Sequence, residues 1–361
     1  MKPEQIVQVI KEKSKEVYDD IVKKQLPKLK IPVRSLQNVN FDKKEGYFVQ
    51  GDKVKERTLT ASTIKTFAQS LKMMGLSKTL VETQDIATKR EAYYTAYNWE
   101  EAAFAGQPES DAVMDDMEAM MGINREQLGF IPEEKGGDVA GQLIVIDKDS
   151  NGNELRIDCT KMGSGAYSVP SSVEELKFET NAKFILAIET SGMFQRLVKH
   201  DYWKKAGCIL IAMGGVPTRA CRRFIRRLAD DKGIPVYVFT DGDFYGHMNI
   251  YRTLKVGSGN AAHINEFFCV PQAKFIGVTP QDIVDYKLPT HKLKDVDVKR
   301  GKDAIKNDPF VHAHPEWKKA IELQLKLGVR AEQQAFAKYD LNYVMDKYLP
   351  DKIDNDKTWL P

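Results

Sequence analysis

Three carboxylates stand where two short apolar runs end. Glu189 follows the run KFILAI directly, and Asp241 and Asp243 follow VYVFT as Asp-Gly-Asp. Runs of this kind are typical of parallel strands, whose carboxyl ends form the usual ligand-binding edge of an open sheet, so we expect the three side chains to lie together. Clustered carboxylates repel unless they share a cation, and Mg²⁺ prefers oxygen ligands. The spacing predicts a Mg²⁺ site. Capping of the following helices is the alternative for any single one.

A second chemical pattern is a stripe of arginines after Gly215. The residues recur at the spacing of one helix face, with apolar residues on the other side. Arginine favours bidentate contacts with phosphate, so the stripe predicts binding to a phosphate backbone, and a solvated surface is the alternative. The stripe consists of Arg219, Arg222, Arg223, Arg226 and Arg227.

The segment KREAYY offers a protein nucleophile. Tyrosine has an ordinary pKa of about 10, so it needs a nearby cation and a polarised phosphate to react near neutral pH. Arg90 lies four residues before Tyr94, and on a helix its guanidinium shares the face of that tyrosine. Spacing alone does not separate Tyr94 from Tyr93, and most tyrosines simply pack. A carboxylate site that activates water, as in a nuclease, therefore stays open.

Composition limits the class of protein. The chain has 361 residues, a net charge of +3 and 42% hydrophobic residues, which is typical of two or three globular domains. The apolar runs are far shorter than the ~20 residues that span a bilayer, and the N-terminus has no signal-peptide pattern. The four cysteines form no CxxC pair, so we expect buried thiols and a cytoplasmic protein. The chain has no GxxxxGK[ST] loop, so any ATP hydrolysis is expected to belong to another chain.

Hydrophobic periodicity predicts the elements that position these residues. Residues 4–26 have the spacing of an amphipathic helix, which we interpret as an N-terminal arm. Helices are then predicted over 61–74, 84–97 and 111–121, followed by strands 129–131 and 142–146 joined as a hairpin. Three helices and a hairpin are the order of a winged-helix module, and a small helical domain that binds no nucleic acid is the alternative.

From residue 182 the pattern predicts an α/β domain. Apolar strands are predicted at 184–188, 209–213, 236–239 and 275–278. They alternate with helical patterns at 193–203, 219–230 and 245–255, which indicates a mostly parallel sheet with helices on both faces. Residues 316–353 return to helical spacing, and we expect them to pack on this domain.

Several ordered blocks resemble one family. The segments KREAYY, KGGDVAG, AIETSGMF, GGVPTR, DGDFYG and VPQAKFIGVTPQDI resemble, in this order, the A subunit of DNA topoisomerase VI and its relatives among the meiotic double-strand-break transesterases. The resemblance runs from about residue 59 to the C-terminus. It implies a CAP-like winged-helix domain followed by a toprim domain with an acidic metal site. One departure is Phe244, where relatives usually carry proline.

The resemblance also implies residue roles. The nucleophile of the family falls on Tyr94 and its arginine on Arg90. The toprim glutamate falls on Glu189, and the aspartates fall on Asp241 and Asp243. KGGDVAG would be the wing loop, and the predicted DNA-binding residues are Lys135, Arg219, Arg222, Arg223 and Arg226.

The implied activity is Mg²⁺-dependent transesterification, in which the tyrosine cuts both strands of a DNA duplex and keeps the 5′ ends. The implied assembly is a homodimer that joins an ATPase B subunit in a heterotetramer (A₂B₂), for which the N-terminal arm is a candidate docking element. The predicted organisation is an arm and linker at 1–58, a winged-helix domain at 59–150, a linker at 151–181 and a toprim domain at 182–361.

Three rival functions remain open on the sequence. One is a recombination-type transesterase without strand passage, one is a toprim-type metal-dependent nuclease, and one is a winged-helix DNA binder that is not an enzyme.

Overall fold

The computed structural model describes residues 1–132 and 136–361, so the predicted DNA contact Lys135 lies outside the described residues. The chain divides into two compact units. The first contains Met1–Asn40, Val49–Glu134 and Ser258–Glu266, and the second contains Phe41–Phe48, Lys135–Gly257 and Phe267–Pro361. Each unit therefore includes one short segment, Ser258–Glu266 or Phe41–Phe48, whose neighbours along the chain belong to the other unit.

The N-terminal part of the chain consists of helices joined by short strands. The helices are α1 (Pro3–Val22), α2 (Ile64–Thr83), α3 (Lys89–Thr95) and α4 (Gln107–Met121). The strands are β1 (Lys28–Pro32), β2 (Val39–Asp42), β3 (Tyr47–Gln50), β4 (Val54–Thr58), β5 (Ala87–Thr88) and β6 (Phe130–Ile131).

The predicted amphipathic helix is α1, and it forms part of the core of the first unit. Ile6 and Ile10 are buried in one cluster with Met73 of α2 and Met114 of α4. The last turn of α1 leaves this core, because Ile21 is 53% exposed. The first turns of α1 therefore hold the unit together, while its C-terminal turn presents apolar surface to solvent.

The predicted wing hairpin is wrong. Strand β6 pairs in parallel with Ala87–Thr88, the strand that precedes the tyrosine helix α3. The second predicted strand, Ile144–Lys148, pairs with two strands that follow it in the chain, Glu154–Asp158 and Lys177–Glu179. The segment between them, predicted from sequence as a loop, contains the strand Asp138–Gly141. Periodicity found the strands but could not show their partners, because pairing depends on residues distant in sequence.

The remainder of the chain, which includes the larger sheet, consists of strands joined by helices. Its strands are β7 (Asp138–Gly141), β8 (Ile144–Lys148), β9 (Glu154–Asp158), β10 (Tyr167–Ser168), β11 (Lys177–Glu179), β12 (Phe184–Ile188), β13 (Cys208–Ala212), β14 (Val236–Phe239), β15 (Lys274–Gly277), β16 (His291–Lys292) and β17 (Val329–Arg330). Its helices are α5 (Ser191–Lys199), α6 (Tyr202–Ala206), α7 (Arg219–Lys232), α8 (Arg252–Val256), α9 (Asn265–Phe268), α10 (Pro280–Asp285), α11 (Asp295–Asn307), α12 (Pro309–Ala313), α13 (Pro315–Leu327) and α14 (Leu349–Asp354).

The α/β prediction for the second unit is confirmed. The sheet has the order β10-β7-β13-β12-β14-β15, in which β12 to β15 are parallel and β7 pairs antiparallel with β13. All side chains of β12, β13 and β14 are buried, which explains their continuous apolar sequence. The C-terminal residues pack on this sheet as expected, since Phe336, Tyr348 and Leu349 share a buried cluster with Phe239.

The structure also bears on the expectations for the cysteines and for membrane-spanning helices. The four cysteines are buried and free of disulfides, and burial raises the pKa of the Cys159 thiol to about 12. Among residues 1–132 and 136–361, no helix is long and apolar enough to cross a membrane.

Candidate active site

The structure brings the predicted carboxylates to one edge of the sheet. Strands β12 and β14 are parallel neighbours, with Ile188 opposite Phe239, so the residues that follow them emerge side by side. The backbone N–H of Asp241 donates to Oε2 of Glu189 at 2.8 Å. The peptide N–H of Glu189 in turn donates to the carbonyl of Phe239 at 3.0 Å.

Backbone groups hold the Asp-Gly-Asp turn in place. The N–H of Gly246 donates to Oδ1 of Asp243 at 2.7 Å, and the N–H of Gln333 donates to Oδ1 of Asp241 at 2.8 Å. Gly242 lies in close contact with the chain beneath it, because an added Cβ would come within 3.0 Å of Val278. A side chain at the centre of the turn would therefore crowd Val278, and the aspartates on either side accept backbone N–H groups that hold the turn.

Burial shifts the pKa of two of these acids upward. Burial, together with the charges of Asp241 and Asp243, raises the pKa of Glu189 to about 7. Burial also raises the pKa of Asp241 to about 6, with further contributions from the charges of Asp243 and Glu332. Desolvated carboxylates with shifts of this direction are typical of functional sites, since a stable fold gains nothing from them.

The donor set fits a divalent cation. In the described part of the chain, Glu189 and Asp241 each use one oxygen in a hydrogen bond and keep the second. The side chains do not converge on one point: in residues 1–132 and 136–361 no group of three acids, histidines or cysteines is already arranged as a metal cage. Rotation of the carboxylates about their own side-chain bonds would be needed, and a bound cation would favour the ionised forms that burial opposes.

The tyrosine segment forms a short capped helix in the first unit. Thr88 Oγ1 accepts the N–H of Glu91 at 3.1 Å, and the Glu91 carboxylate accepts the N–H of Thr88 at 2.7 Å, which is a capping box. Ala92 and Ala96 are fully buried, so the helix turns its tyrosines outward. Tyr94 is 51% exposed.

The two adjacent tyrosines, Tyr93 and Tyr94, have different surroundings. The hydroxyl of Tyr93 hydrogen-bonds to that of Tyr97 at 3.0 Å, and this bond raises the pKa of Tyr93. The Tyr94 hydroxyl has no hydrogen bond within the described part of the chain, and the guanidinium of Arg90 lies 5.9 Å from the centre of its ring. Tyr94 is therefore the better placed to react with a bound ligand.

Helix α7 has the predicted amphipathic pattern, but much of its arginine stripe contacts the protein. Arg222 is 7% exposed. Arg223 forms two hydrogen bonds to the Glu174 carboxylate at 2.6 and 2.8 Å, and Arg226 donates to the carbonyl of Cys269 at 2.7 Å. These contacts fasten neighbouring loops to α7. A phosphate would have to compete with them, so DNA binding by the stripe stays a prediction.

Sequence reasoning missed the segment that closes the carboxylate site. Gln333 is fully buried, and besides holding Asp241 it accepts from the Thr190 hydroxyl at 2.9 Å. Arg330 places Nη1 3.7 Å from Oδ2 of Asp243. Both residues lie about 90 positions after the aspartates, and no local motif connects the two segments. Only an unexplained polar cluster, GVRAEQQ, could have drawn attention to them.

Comparisons with known proteins show which family this chain is similar to. Three protein-family models match different parts of the chain. The model for type IIB DNA topoisomerase matches residues 65–130, and the model for the all-beta domain in the DNA topoisomerase VI alpha subunit matches residues 133–182. The model for the toprim domain of the topoisomerase 6 A subunit and Spo11 matches residues 184–353.

Curated relatives match over nearly the whole chain. The chain is 54% identical to the A subunit of type 2 DNA topoisomerase 6 from Methanocaldococcus jannaschii, over 100% of this chain and 98% of that protein. The protein of the same name from Methanothermobacter thermautotrophicus is 38% identical, over 94% of each chain. Its counterpart in Archaeoglobus fulgidus is 38% identical, over 93% of each. The chain belongs to the family of type 2 DNA topoisomerase 6 A subunits.

Proposed function

We propose that this chain is the DNA-cleaving and rejoining subunit of a type IIB topoisomerase, with Tyr94 as nucleophile and Glu189, Asp241 and Asp243 as ligands of Mg²⁺. The carboxylate cluster is the observation that carries the proposal, because it contains buried acids with raised pKa values and unused oxygens. Toprim and type II topoisomerase families imply a divalent metal, and hard oxygen ligands favour Mg²⁺ among divalent cations.

The chemical step is a reversible transesterification. Tyr94 loses its proton, and its Oη forms a bond to the phosphorus of a DNA phosphodiester. The bond from phosphorus to the 3′ oxygen breaks, that oxygen takes up a proton, and the tyrosine keeps the 5′ phosphate. Religation reverses each transfer. A divalent cation supplies neutralisation of the charge that develops on the phosphate oxygens.

Two residues would support this step from within the chain. Arg90, on the same face of α3 as Tyr94, supplies positive charge beside the ring of the attacking tyrosine. Glu189, whose pKa of about 7 lies near working pH, is suited to move a proton when it is not acting as a ligand. Arg219, Arg222, Arg223 and Arg226 are proposed to contact the DNA backbone, with Lys135, which lies outside the described residues, as a further contact.

The nucleophile is tested by a cleavage assay stopped with detergent. Purified chain, a topoisomerase VI B subunit, ATP, Mg²⁺ and supercoiled DNA are combined, and protein attached to 5′ ends is measured. Tyr94→Phe is expected to abolish the adduct, whereas Tyr93→Phe, the matched control, should retain it within about threefold because the Tyr93 hydroxyl is bound to Tyr97. Breaks without attached protein in all variants would contradict the proposal and favour a hydrolytic nuclease.

Strand passage separates this function from its closest rival. Relaxation of supercoils that requires ATP and the B subunit is expected for a topoisomerase. Covalent adducts without relaxation would instead indicate a recombination-type transesterase. The proposed setting is the cytoplasm, in keeping with four free buried thiols.

We further propose a homodimer in which Tyr94 of one protomer acts at the carboxylates of the other. The tyrosine belongs to the first unit and the carboxylates belong to the second. Mixed dimers of Tyr94→Phe and Glu189→Gln protomers test this arrangement. If the sites form between protomers, one of the two is intact and the dimer nicks one strand. If each site forms within a protomer, both are defective and no nicking occurs.

Docking of a B subunit is proposed for the α1–α2 face. An apolar cavity of about 460 Å³ is lined by residues such as Ile10, Val17 and Leu71, and Ile21 is exposed at its end. Deletion of residues 1–26 would also remove buried Ile6, so a point variant is the sharper test. Ile21→Glu should weaken assembly with the B subunit in size-exclusion chromatography, while Val296→Glu, at an equally exposed helix position, should not. Unchanged assembly of Ile21→Glu would exclude this face.

A further inference from the structure

The chain that closes the carboxylate site runs antiparallel to the Asp-Gly-Asp turn. The N–H of Gly242 donates to the carbonyl of Ala331 at 2.8 Å, and the N–H of Ala331 donates back to Gly242 at 3.3 Å. Side chains alternate along extended backbone, so the residues on either side of this pair point to one face. Arg330 then lies across from Asp243, and Glu332 lies across from Asp241.

Local structure fixes this register. Helix α13 ends at Gly328, which has the left-handed φ of +66° that turns the chain into β17. Gln324, the last buried polar residue of α13, donates to the carbonyl of Gly242 at 2.8 Å. Arg330 is therefore attached to the same backbone turn as the aspartates and cannot shift without moving them.

The guanidinium of Arg330 lies close to Asp243 but does not hydrogen-bond to its carboxylate. Its Nη1 lies 3.7 Å from Oδ2 of Asp243, which is beyond a hydrogen bond, and only 23% of its side chain is exposed. Its Nε is buried and has no hydrogen-bond partner in the described part of the chain. A buried donor without a partner is costly, which indicates that a ligand completes it.

The donors of Arg330 point to a ligand with oxygen acceptors. Arg330 lowers the pKa of Asp241, whereas Asp243 and Glu332 raise it, so one cation faces a group of acids. Three ionised carboxylates balance a divalent cation together with Arg330, so net charge alone does not select the ligand. The geometry selects it: an oxygen of a phosphate can accept from the Arg330 guanidinium, whose Nε has no acceptor in the described part of the chain, and arginine has the planar donor geometry for this contact.

We propose that Arg330 is a catalytic residue that donates to a non-bridging oxygen of the DNA phosphate that Tyr94 attacks, an inference that rests on the proposed function. The alternative is that Arg330 only neutralises Asp243 and holds the turn. The two roles predict opposite effects on metal binding. A phosphate-binding cation repels the metal in the absence of DNA, whereas a structural partner of Asp243 supports the metal site.

The first measurement is metal affinity without DNA, by calorimetric titration of the full-length chain with Mn²⁺. Arg330→Ala is expected to bind Mn²⁺ at least about threefold more tightly than wild type, because a nearby positive charge has been removed. Arg156→Ala is the control. Arg156 lies on strand β9 and also pairs with carboxylates, those of Glu154 and Glu179. This variant should leave the affinity unchanged. Weaker Mn²⁺ binding by Arg330→Ala would assign Arg330 the structural role and overturn the proposal.

The second measurement is single-turnover formation of the Tyr94 adduct at saturating Mg²⁺. Arg330→Ala should be slower by about 10²-fold, the usual effect of removing one donor to a developing oxyanion, and Arg330→Lys should recover part of the rate. Wild-type rates in Arg330→Ala would overturn the inference and leave the proposed function intact. Arg330→Gln, which keeps a donor but no charge, provides a folded variant if the alanine variant does not fold.

The two proposals fail in distinguishable ways. If wild type gives DNA breaks without a tyrosine adduct, the proposed function fails, whereas slower breakage by Arg330→Ala would still support a phosphate contact. If the Arg330→Ala defect disappears as Mg²⁺ is raised, Arg330 acts only through the metal and the inference is wrong.

Discussion

Two sets of buried carboxylates, one in each unit, are neutralised in opposite ways. In the first unit, Asp116 is 4% exposed and lies within 3.2 Å of nitrogen atoms of Arg34, Lys55 and Arg57. Burial alone would raise its pKa, but the three cations overcome that effect and hold the pKa below its ordinary value. The counterions of Asp116 are therefore side chains of the same unit.

In the second unit, the acids at the sheet edge face one another. Glu189 and Asp241 have pKa values raised to about 7 and about 6, since burial and mutual repulsion dominate over the hydrogen bonds they accept. The two groups of acids therefore differ in where their counterions come from. Asp116 is neutralised by cations within the fold, whereas we propose that the acids at the sheet edge are neutralised mainly by a bound metal.

The largest expected effect is on catalysis. Asp241→Asn should reduce adduct formation by about 10³-fold, because it removes a charged metal ligand. It should leave the melting temperature unchanged or raised, since a buried repulsion disappears. Adduct assays and thermal melting of the same samples check both effects. Cleavage by Asp241→Asn at the wild-type rate and at low Mg²⁺ would show that Asp241 is not a metal ligand.

A slightly smaller effect, on stability, is expected for the structural acid. Asp116→Ala should lower the free energy of unfolding by about 3 kcal/mol, because three cations lose their shared partner in a largely buried setting. Denaturant unfolding measures the loss. Any folded fraction should still bind Mn²⁺ at the sheet edge. A variant as stable as wild type would show that Asp116 is not a structural counterion.

The two regions should respond to pH with opposite signs. Glu189 in the folded chain keeps its proton up to about pH 7, but in the unfolded chain it loses it near pH 4.3, so metal-free stability falls as pH rises through this window. The expected size is roughly 3 to 4 kcal/mol. Asp116 has a lowered folded pKa, so its contribution is lost only as pH falls below its ordinary value.

Thermal melting between pH 4.5 and 7.5, with EDTA or with Mg²⁺, measures these pH dependences. Mg²⁺ should remove the decline, and Glu189→Gln should flatten it without metal. If the fall in stability with rising pH is the same in Glu189→Gln as in wild type, groups other than Glu189 cause it.

The smallest effect is expected for Lys55. Its side chain is 50% exposed, and it is one of three cations on Asp116. Lys55→Met should cost less than about 1 kcal/mol, because water and the two arginines compensate the carboxylate. Denaturant unfolding beside Arg57→Met, whose guanidinium is more buried, provides the comparison. A larger loss for Lys55→Met than for Arg57→Met would contradict this account.

The sequence predicted the parts of the fold that depend on local pattern. Continuous apolar runs located β12 and β14 to the residue, and helical spacing located α1 and α7. The same reasoning paired residues 129–131 with 142–146, and this hairpin is wrong because β6 pairs with β5. Neighbouring strands in sequence usually pair, and nothing local marks an exception.

The acidic part of the site could likewise be predicted, because strand ends are readable from sequence and parallel strands bring their ends together. Arg330 and Gln333 could not be predicted, since their places depend on a bridge between Gly242 and Ala331 that joins distant segments. The arginines of α7 show the converse. Their spacing predicted the helix face correctly, but burial of Arg222 and the pairing of Arg223 with Glu174 depend on loops that the helix pattern does not reveal.

We propose that the sheet-edge acids, and not the buried Asp116 of the first unit, bind the metal. The most direct test replaces Mg²⁺ with Fe²⁺ and maps radical cleavage of the protein backbone by mass spectrometry. Scission is predicted beside Glu189 and Asp241–Asp243, with competition by Mg²⁺ and loss in Asp241→Asn. Scission around Asp116, or a pattern that Asp241→Asn leaves unchanged, would contradict the account.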